Sequence, residues 1–323
     1  MKPYAFGVDI GGTSIKIGLA KTSGWLFETR KIGTPIDLSA ESFLLNISEV
    51  IKQRIHARGL RPADFEGIGV GVPGPVDEKG VVHGCANLGW GDVDVKGIME
   101  RALGIPVQVG NDANVAALGE MWQGGGKGYA NLVMVTLGTG VGGGVIINKH
   151  IVCGQYGSAG EIGHLHVSDH ESEPCGCSNF GCLEQYASAT GIVRTATRLL
   201  DAHPEAHSIL RRMTPLDAKM VCDSARDGDE LAVSAIEAAM DQLGKALSMI
   251  SCVIDPEVYV IGGGVSLASD VLMPPLQRAY KRYAFPSSRD TAFKKATLGN
   301  QAGIIGAIKL TMPDAKENKE KIK

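Results

Sequence analysis

The chain has 323 residues, more than one small hydrophobic core usually organises, and this length predicts about two domains. Its 32 basic and 35 acidic residues give a formal net charge of -3, which offers no broad attraction to nucleic acid or to an anionic membrane, and we expect neither as a partner. No apolar run approaches the roughly 18 residues that a membrane span needs. The N-terminus does not resemble a signal peptide, so we expect a cytoplasmic protein.

The opening part of the chain predicts an antiparallel meander followed by a helix. The predicted strands are 4–10, 14–21 and 25–32, and the predicted helix is 42–58. The turn after the first strand carries a carboxylate and small residues whose backbone N–H groups could bind a phosphate, namely Asp9, Gly11, Gly12 and Thr13. A tight β-turn that touches no ligand would use the same residues.

A second Gly-rich turn follows a strand predicted at 132–137. The segments VDIGGTSIKIGL and VTLGTGVGGGVI align without a gap and set Gly11 against Gly138. This weak repeat predicts a duplicated strand-turn-strand unit with a matching set of donors at Gly138, Thr139, Gly140 and Gly142. Because antiparallel strands open the chain, the pattern argues against a doubly wound dinucleotide-binding fold.

Short strands predicted at 67–72 and 106–109 lead to VGNDANVAALGE, in which a helix begins near Ala113. Asp112 lies at the start of that helix. Asp is typical of a helix N-cap, and the residues alone favour this interpretation. A carboxylate at the same place could instead accept a proton from a substrate hydroxyl.

The rest of the pattern completes the domain prediction. Further helices are expected at 187–202, at 230–254 and from residue 303 onward, and a buried strand at 258–261 ends at Gly262, Gly263 and Gly264. We predict a small N-terminal α/β domain over 1–118, completed by a C-terminal helix at 303–323. A large α/β domain is predicted over 119–302.

The stretch GEIGHLHVSDHESEPCGCSNFGCLE concentrates metal-type ligands within this larger domain. One histidine precedes three closely spaced cysteines; the four residues are His164, Cys175, Cys177 and Cys182. One imidazole and three thiolates satisfy a tetrahedral Zn²⁺ and leave no open position, so we predict a structural metal. His166 and His170 are close enough in sequence to replace His164. The remaining cysteines are predicted to be buried thiols in a reducing cytosol, namely Cys85, Cys153, Cys222 and Cys252.

These residues belong to an ordered set of motifs. Between residue 5 and about residue 306 the chain contains, in this order, FGVDIGGTSIKIGLA, GVGVPGPVD, NLGW, VGNDANVAALGE, VTLGTGVGGG, GEIGH, CGCSNFGCLE and VIGGG. In order and rough spacing they resemble the ROK family of sugar kinases, and the set is most similar to its bacterial glucokinase branch. The resemblance implies an actin-like, hexokinase-type fold, in which two duplicated α/β domains with mixed five-stranded sheets close over a cleft.

The resemblance also implies an activity, the ATP-dependent phosphorylation of glucose to glucose 6-phosphate. The aligned aspartate of NDAN is the catalytic base of the family, which reverses the N-cap interpretation of Asp112. A hexose needs several short polar side chains around its hydroxyls. The expected set is Asn87, Asn111, Asp112, Glu161, His164 and Glu184, of which the family places the last three on the sugar. His164 would bind Zn²⁺ through one ring nitrogen and a sugar hydroxyl through the other.

For the nucleotide, the two Gly-rich turns would bind the phosphates of ATP, and Asp9 would hold Mg²⁺ directly or through water. In the family, the position of the third glycine run, Gly262 to Gly264, lies close to the adenine and ribose of ATP. The expected nucleotide-binding set is Asp9, Gly11, Gly12, Thr13, Lys16, Gly138, Thr139, Gly140, Gly142, Gly262, Gly263 and Gly264.

Other functions remain open at this point. The acceptor could be N-acetylmannosamine, allose or fructose, and the donor could be polyphosphate, as in some relatives. A sugar-responsive repressor of the same family is a non-enzymatic alternative. Such repressors carry an N-terminal helix-turn-helix, whereas the first strand is predicted here at residue 4, so we disfavour that hypothesis. The family resemblance also implies a homodimer.

Overall fold

The computed structural model describes residues 1–35 and 37–312. It divides the chain into two compact units: the first comprises 1–128, 144–159 and the described residues from Leu298 on, and the second comprises 129–143 and 160–297. The predicted division at 118/119 falls inside a helix that runs across that position. The part of the predicted C-terminal helix beyond residue 312 lies outside the described residues.

The elements of the chain up to residue 128 begin with the predicted meander. In chain order they are β1 (Tyr4–Ile10), β2 (Ser14–Lys21), β3 (Leu26–Gly33), α1 (Ala40–Ala57), β4 (Phe65–Val72), β5 (Val81–Cys85), β6 (Trp90–Asp94), α2 (Val95–Leu103), β7 (Val107–Asn111) and α3 (Asp112–Gln123). The hairpin of β5 and β6 was not predicted, because its strands are short and carry Gly, His and Asp.

The elements after residue 128 begin with the predicted second strand-turn-strand. They are β8 (Leu132–Leu137), β9 (Val141–Ile147), β10 (His150–Ile151), α4 (Glu184–Ala187), α5 (Ala189–Ala202), α6 (Ala218–Arg226), α7 (Glu230–Ile254), β11 (Val258–Gly262), α8 (Ser269–Tyr283), β12 (Ala292–Lys295) and α9 (Ala302–Leu310). Within the described ranges, no helix combines the length and the apolar character needed to cross a bilayer.

The first unit is built on a five-stranded sheet in the order β3-β2-β1-β4-β7. The first three strands form the antiparallel meander, and β1, β4 and β7 are parallel. The two faces of β1 differ in side-chain size, because successive residues of a strand point to opposite faces. Phe6, Val8 and Ile10 belong to the large apolar core shared with α1, whereas Ala5 belongs to a smaller cluster with Ile304 and Ile308 of α9.

Small residues on the second face allow α9 to lie directly on the sheet. A Cβ at Gly7 or at Gly69 would overlap backbone atoms of α9, at Ile304 and Ala307 respectively. The same helix crosses α3 at a point where Gly306 meets Val115 and Gly119. The glycine-rich strands of the first unit are therefore explained by close helix packing.

Replacing Gly69 by Ala should destabilise the protein by about 3 kcal/mol, because the new methyl group overlaps the Ala307 carbonyl and the backbone must shift. Urea unfolding would measure the loss. Gly33→Ala is the matched control: Gly33 is a glycine at the end of β3 in the same sheet, and a Cβ there would have no atom within 4 Å. Equal stability of the two variants would contradict the packing that we describe.

A second five-stranded sheet has the order β10-β9-β8-β11-β12, and its strands β8, β11 and β12 belong to the second unit. In this sheet β10 is antiparallel to β9, and β11 is parallel to both β8 and β12. The order matches that of the first sheet, with an edge hairpin followed by parallel strands. The predicted duplication of a strand-turn-strand unit is therefore confirmed at the level of topology.

The longest helix, α7, was predicted with its true bounds, because its capping residue and its apolar periodicity indicate the same segment of chain. Asp229 caps it by accepting a hydrogen bond from the backbone N–H of Ala232, and an apolar stripe that includes Ile236, Met240 and Leu243 is buried. The helix ends at Asp255, whose φ of 49° is left-handed. The cysteine prediction is correct for Cys85 and Cys222, which are buried, but wrong for Cys153 and Cys252, which are exposed.

Candidate active site and metal centre

The carboxyl ends of the parallel strands meet at one edge of the first sheet. Asp9 of β1 lies in register with Gly71 of β4, which in turn faces Gly110 of β7. The Asp9 side chain is 17% exposed, and its carboxylate accepts a hydrogen bond of 2.9 Å from the Lys16 ammonium group. Gly303 of α9 passes so close to this carboxylate that a Cβ there would lie 2.6 Å from Cγ of Asp9.

The helix that follows β7 is capped one residue earlier than the sequence indicated. Its N-cap is Asn111, whose side-chain oxygen accepts hydrogen bonds from the backbone N–H groups of Ala113 and Asn114. Its amide nitrogen donates to the carbonyl of Gly74. Asp112 is the first helical residue and is half-buried. Asn111 is thus the N-cap, while the Asp112 carboxylate also accepts a hydrogen bond of 2.9 Å from the backbone N–H of Ala113.

The turn between β1 and β2 lies near Asn87. Gly11 donates its N–H to the carbonyl of Ser14, which closes the turn, so Gly12 and Thr13 project beyond it as exposed residues. Asn87 is exposed in the short 3₁₀ turn between β5 and β6, and its carbonyl oxygen lies 3.8 Å from where a Cβ of Gly12 would be. The first unit thus places Gly12, a predicted nucleotide-binding residue, close to Asn87, a predicted sugar ligand.

In the second unit, the turn after β8 separates two cavities. One, of about 530 Å³, is lined by Gly138 and Thr139. The other, of about 330 Å³, is lined by Thr139 and Gly140 and contains Glu184. Gly142, by contrast, lies within β9 and outside the turn. The turn is held to α5 by two hydrogen bonds, from Ala189 N–H to Gly138 and from the Thr190 hydroxyl to Thr139.

Helix α6 supplies much of the wall of the larger cavity, a role that no pattern in the sequence indicated. Its lining side chains are Ala218, Lys219, Cys222, Asp223 and Arg226, and across from them lie Gly264, Val265, Leu267 and Ala268. Of the three predicted glycines of this region, only Gly264 lines the cavity. Gly262 ends β11, and Gly263 has a φ of +86° in the turn, where a Cβ would overlap Leu137.

The four predicted metal ligands lie together. His164, Cys175, Cys177 and Cys182 each offer one ligand atom, and all four atoms are within 4.8 Å of one another. The Sγ atom of Cys175 is 3.7 Å from Nδ1 of His164, and the Sγ atoms of Cys177 and Cys182 are also 3.7 Å apart. A tetrahedron with zinc–sulfur bonds of about 2.3 Å has edges of about 3.8 Å, so this geometry fits Zn²⁺.

The donor chemistry also fits a thiolate-binding cation. Burial raises the pKa of Cys175 to about 12 and also raises the pKa of Cys182, whereas the pKa of Cys177 is lowered, chiefly by a hydrogen bond from the backbone N–H of Asn179. Zn²⁺ displaces the thiol protons when it binds. His166 lies outside the cluster, because its ring nitrogens contact the Phe180 carbonyl and the Asp169 carboxylate.

Glu161 and Glu184 are the carboxylates at the two ends of the metal loop, by which we mean residues 161–184, and their surroundings differ. Glu184 begins α4, and its Oε1 accepts a hydrogen bond of 2.8 Å from the Cys175 thiol, so it lies directly beside the metal cluster. Glu161 is exposed and precedes the short 3₁₀ helix that carries His164. Since Nδ1 of His164 faces the sulfur atoms, Nε2 is the ring nitrogen that remains for a second partner.

Comparisons with known proteins agree with this architecture. The chain is 41% identical to a glucokinase of Halalkalibacterium halodurans over 304 residues, which is 93% of this chain and 92% of that protein. A ROK family glucokinase from Streptomyces griseus, solved in complex with glucose and AMPPNP, is similar with a TM-score of 0.74 and 33% identity, over 95% of this chain and 98% of that one. A ROK hexokinase from Thermus thermophilus has a TM-score of 0.79 and 32% identity, over 98% and 99%.

Two findings confirm the expected fold and family. The two sheets of like strand order, together with these structural likenesses, confirm an actin-like α/β fold. The family model for ROK matches residues 5–313, which is nearly the whole chain. The chain therefore belongs to the ROK family.

Proposed function

We propose that this protein transfers the γ-phosphoryl group of ATP to glucose and forms glucose 6-phosphate. The observation that carries the proposal is the Thr139 turn, which borders the 530 Å³ cavity on one side and the Glu184 cavity on the other. A kinase needs its phosphate-binding turn between a nucleoside site and an acceptor site, because donor and acceptor must meet in line. The similar glucokinases named above support glucose as the acceptor.

The larger cavity favours a nucleotide over polyphosphate as the donor. Most of its lining residues are small or apolar, including Ala189, Cys222 and Val265. Its two cations are already neutralised, since Lys219 pairs with Asp223 and Arg226 pairs with Asp223 and Asp270. A polyphosphate chain would need unpaired positive charge along its length, whereas a purine and ribose need an apolar cavity with few polar groups.

In the proposed mechanism Asp112 is the general base that accepts the proton of the attacking hydroxyl as the phosphoryl group moves. The phosphates would be bound by the turns at Gly12–Thr13 and at Thr139–Gly140. Asp9 is the side chain that we propose to hold Mg²⁺, directly or through water, and Lys16 keeps that carboxylate in place. Mg²⁺ would neutralise the charge that develops on the phosphate oxygens.

The ligands that we propose for the sugar are Asn87, Asn111, Asp112, Glu161, His164 and Glu184. Carboxylates and amides can accept and donate to several hydroxyls at once. Zn²⁺ in the Cys₃His cluster would be structural, because four protein ligands leave no position for substrate. Its effect on the sugar would pass through His164 and Glu184, which lie beside it. We also propose a cytoplasmic location, because thiolate ligands to Zn²⁺ need a compartment that keeps cysteines reduced.

A substrate panel tests the function directly. ADP formation would be measured by a coupled assay with glucose, N-acetylmannosamine, allose and fructose, and ATP would be compared with polyphosphate as the sole donor. We expect the highest kcat/KM with glucose and ATP. Higher activity with another sugar, or with polyphosphate, would replace that part of the proposal. DNA binding without turnover of any sugar would indicate a sugar-responsive repressor instead.

A further inference from the structure

The metal loop contains a buried carboxylate that the proposed mechanism does not use. Glu171 lies in the loop between His164 and Cys175, and its side chain is 0% exposed. A buried charge is costly unless partners satisfy it, so such a residue needs a specific arrangement around it. Its neighbour Glu173, only two residues away, is 60% exposed and provides a natural comparison.

Two arginines of α5 bind Glu171. Arg198 contacts both of its oxygens, with Nη1 3.2 Å from Oε2 and Nη2 3.0 Å from Oε1, which is a bidentate pair. Arg194 donates from Nη2 to Oε2 at 2.8 Å. These contacts, led by the hydrogen bonds from Arg198, lower the pKa of Glu171 to about 2, so the carboxylate is ionised throughout the neutral range.

One of these arginines, Arg194, is connected through Gln185 to the predicted metal ligands and to the proposed sugar ligand. Arg194 donates from Nη2 to the backbone carbonyl of Gln185 at 2.7 Å. The Gln185 side chain accepts from the backbone N–H of Cys182 at 3.0 Å and donates to the carbonyl of Glu173 at 2.9 Å. Gln185 directly follows Glu184, and Arg194 and Glu184 line the same 330 Å³ cavity.

The contacts of Glu171 hold a part of the loop that contains no predicted metal ligand. The metal ligands fix residue 164 and residues 175–182, but the ten residues from Leu165 to Pro174 lie between them. Glu171 attaches this span to α5, and through Arg194 and Gln185 it also attaches α4. Backbone hydrogen bonds also join the start of this span to the segment before Glu184, from Val167 N–H to Gly181 and from Leu183 N–H to Leu165. Two side-chain anchors add to them, the proposed metal and the Glu171 clamp, by which we mean Glu171 with Arg194 and Arg198.

We propose that Glu171, held by Arg194 and Arg198, is a positioning residue for sugar binding that sets the place of Glu184. This inference rests on the proposed function, since it assumes that Glu184 contacts the hexose. Glu171 itself would touch neither sugar nor nucleotide. A loosened clamp should thus weaken sugar binding and leave both the nucleotide site and the transfer step largely unchanged.

Glu171→Gln tests the proposal, because it keeps the size of the side chain but removes the charge that the arginines bind. We expect the KM for glucose to rise about tenfold. This is the lower end of the roughly 10- to 100-fold losses that follow when a residue that orients a metal ligand is replaced. The kcat, the KM for ATP and the zinc content should stay within about twofold of the parent. Glu173→Gln is the matched control: it contacts the same arginines but is exposed, and exposed pairs contribute little.

A second variant keeps the test decisive if Glu171→Gln folds poorly. Arg198 is 46% exposed, so Arg198→Gln should fold. It should also raise the KM for glucose, by a smaller factor than Glu171→Gln does. The double variant should be no worse than Glu171→Gln alone, because both changes remove one interaction. A glucose KM equal to that of Glu173→Gln, or a parallel loss of kcat and zinc, would overturn the inference. A parent enzyme without glucose turnover would instead refute the proposed function, and the inference with it.

Discussion

Asp112→Asn should lower kcat for glucose phosphorylation by about 10²- to 10⁴-fold, because the amide cannot accept the proton of the attacking hydroxyl. The KM for glucose should change much less, since an amide at this position can still form hydrogen bonds with a sugar hydroxyl. Initial rates from the coupled ADP assay, together with glucose binding by calorimetry, would separate the two effects. A loss confined to kcat is the signature of an interaction made only in the transition state.

A loss of activity in Asp112→Asn can be assigned to the chemistry, because Asp112 is not the N-cap residue of its helix. Asn111 accepts hydrogen bonds from the N–H groups of Ala113 and Asn114, and the amide oxygen of an Asn at 112 can still accept from the Ala113 N–H as the carboxylate does. The amide variant should therefore keep the helix and lose mainly the favourable interaction of a charge with the helix dipole, about 0.3–1 kcal/mol. Asp94→Asn is a matched control, since Asp94 is the true N-cap of α2 and the change likewise neutralises a carboxylate at a helix start. That control should retain full turnover. Near-normal kcat in Asp112→Asn would remove this residue from the role of base.

The parts of the fold that the sequence predicted well are those with local signals. The first two strands and α7 follow from apolar periodicity, a capping residue and a turn, and all of these lie within one segment of chain. The position of the N-cap was wrong by one residue, because Asn and Asp are adjacent in VGNDAN and both are good caps. Only the geometry of the helix start distinguishes them.

The wall of the larger cavity could not be predicted, because it depends on contacts far apart in sequence. Lys219, Cys222 and Arg226 read as one face of an ordinary amphipathic helix, and no local feature places them beside Gly138 or Gly264. The same holds for Glu171. In sequence it is one charge in a polar loop, and its burial follows from Arg194 and Arg198, which lie more than twenty residues further along the chain.

The four predicted metal ligands, by contrast, are clustered in sequence, and this is why their grouping was predictable. Even so, the residues alone left His166 and His170 open as alternatives. The structure distinguishes them by geometry: Nδ1 of His164 faces the sulfur atoms, whereas both ring nitrogens of His166 have other partners. Residue type and spacing thus predicted the kind of site, and the local fold determined which histidine belongs to it.

Cys177→Ala should abolish binding of the proposed Zn²⁺ and lower the stability of the protein together. The four-ligand cluster is closed, so the loss of one thiolate leaves Zn²⁺ with incomplete coordination, and metal loss removes an anchor of the loop. We expect the free energy of unfolding to fall by about 3 kcal/mol, at the high end for a single substitution. Metal analysis of the purified protein and thermal unfolding, each with and without a chelator, would measure both effects.

The choice of Cys177 and of its control follows from exposure. Cys177 is the exposed cysteine of the cluster, so its replacement by Ala leaves no buried cavity and the loss of stability can be assigned to the metal. Cys252→Ala is the matched control, because Cys252 is also exposed but lies outside the cluster, and it should retain metal and stability. The KM for glucose should rise in Cys177→Ala, since His164 is one of the predicted metal ligands and Glu184 lies beside the cluster, while the cavity proposed for ATP keeps its lining from α6. A metal-free variant with normal stability and normal glucose KM would show that the cluster neither orders the loop nor positions the sugar ligands.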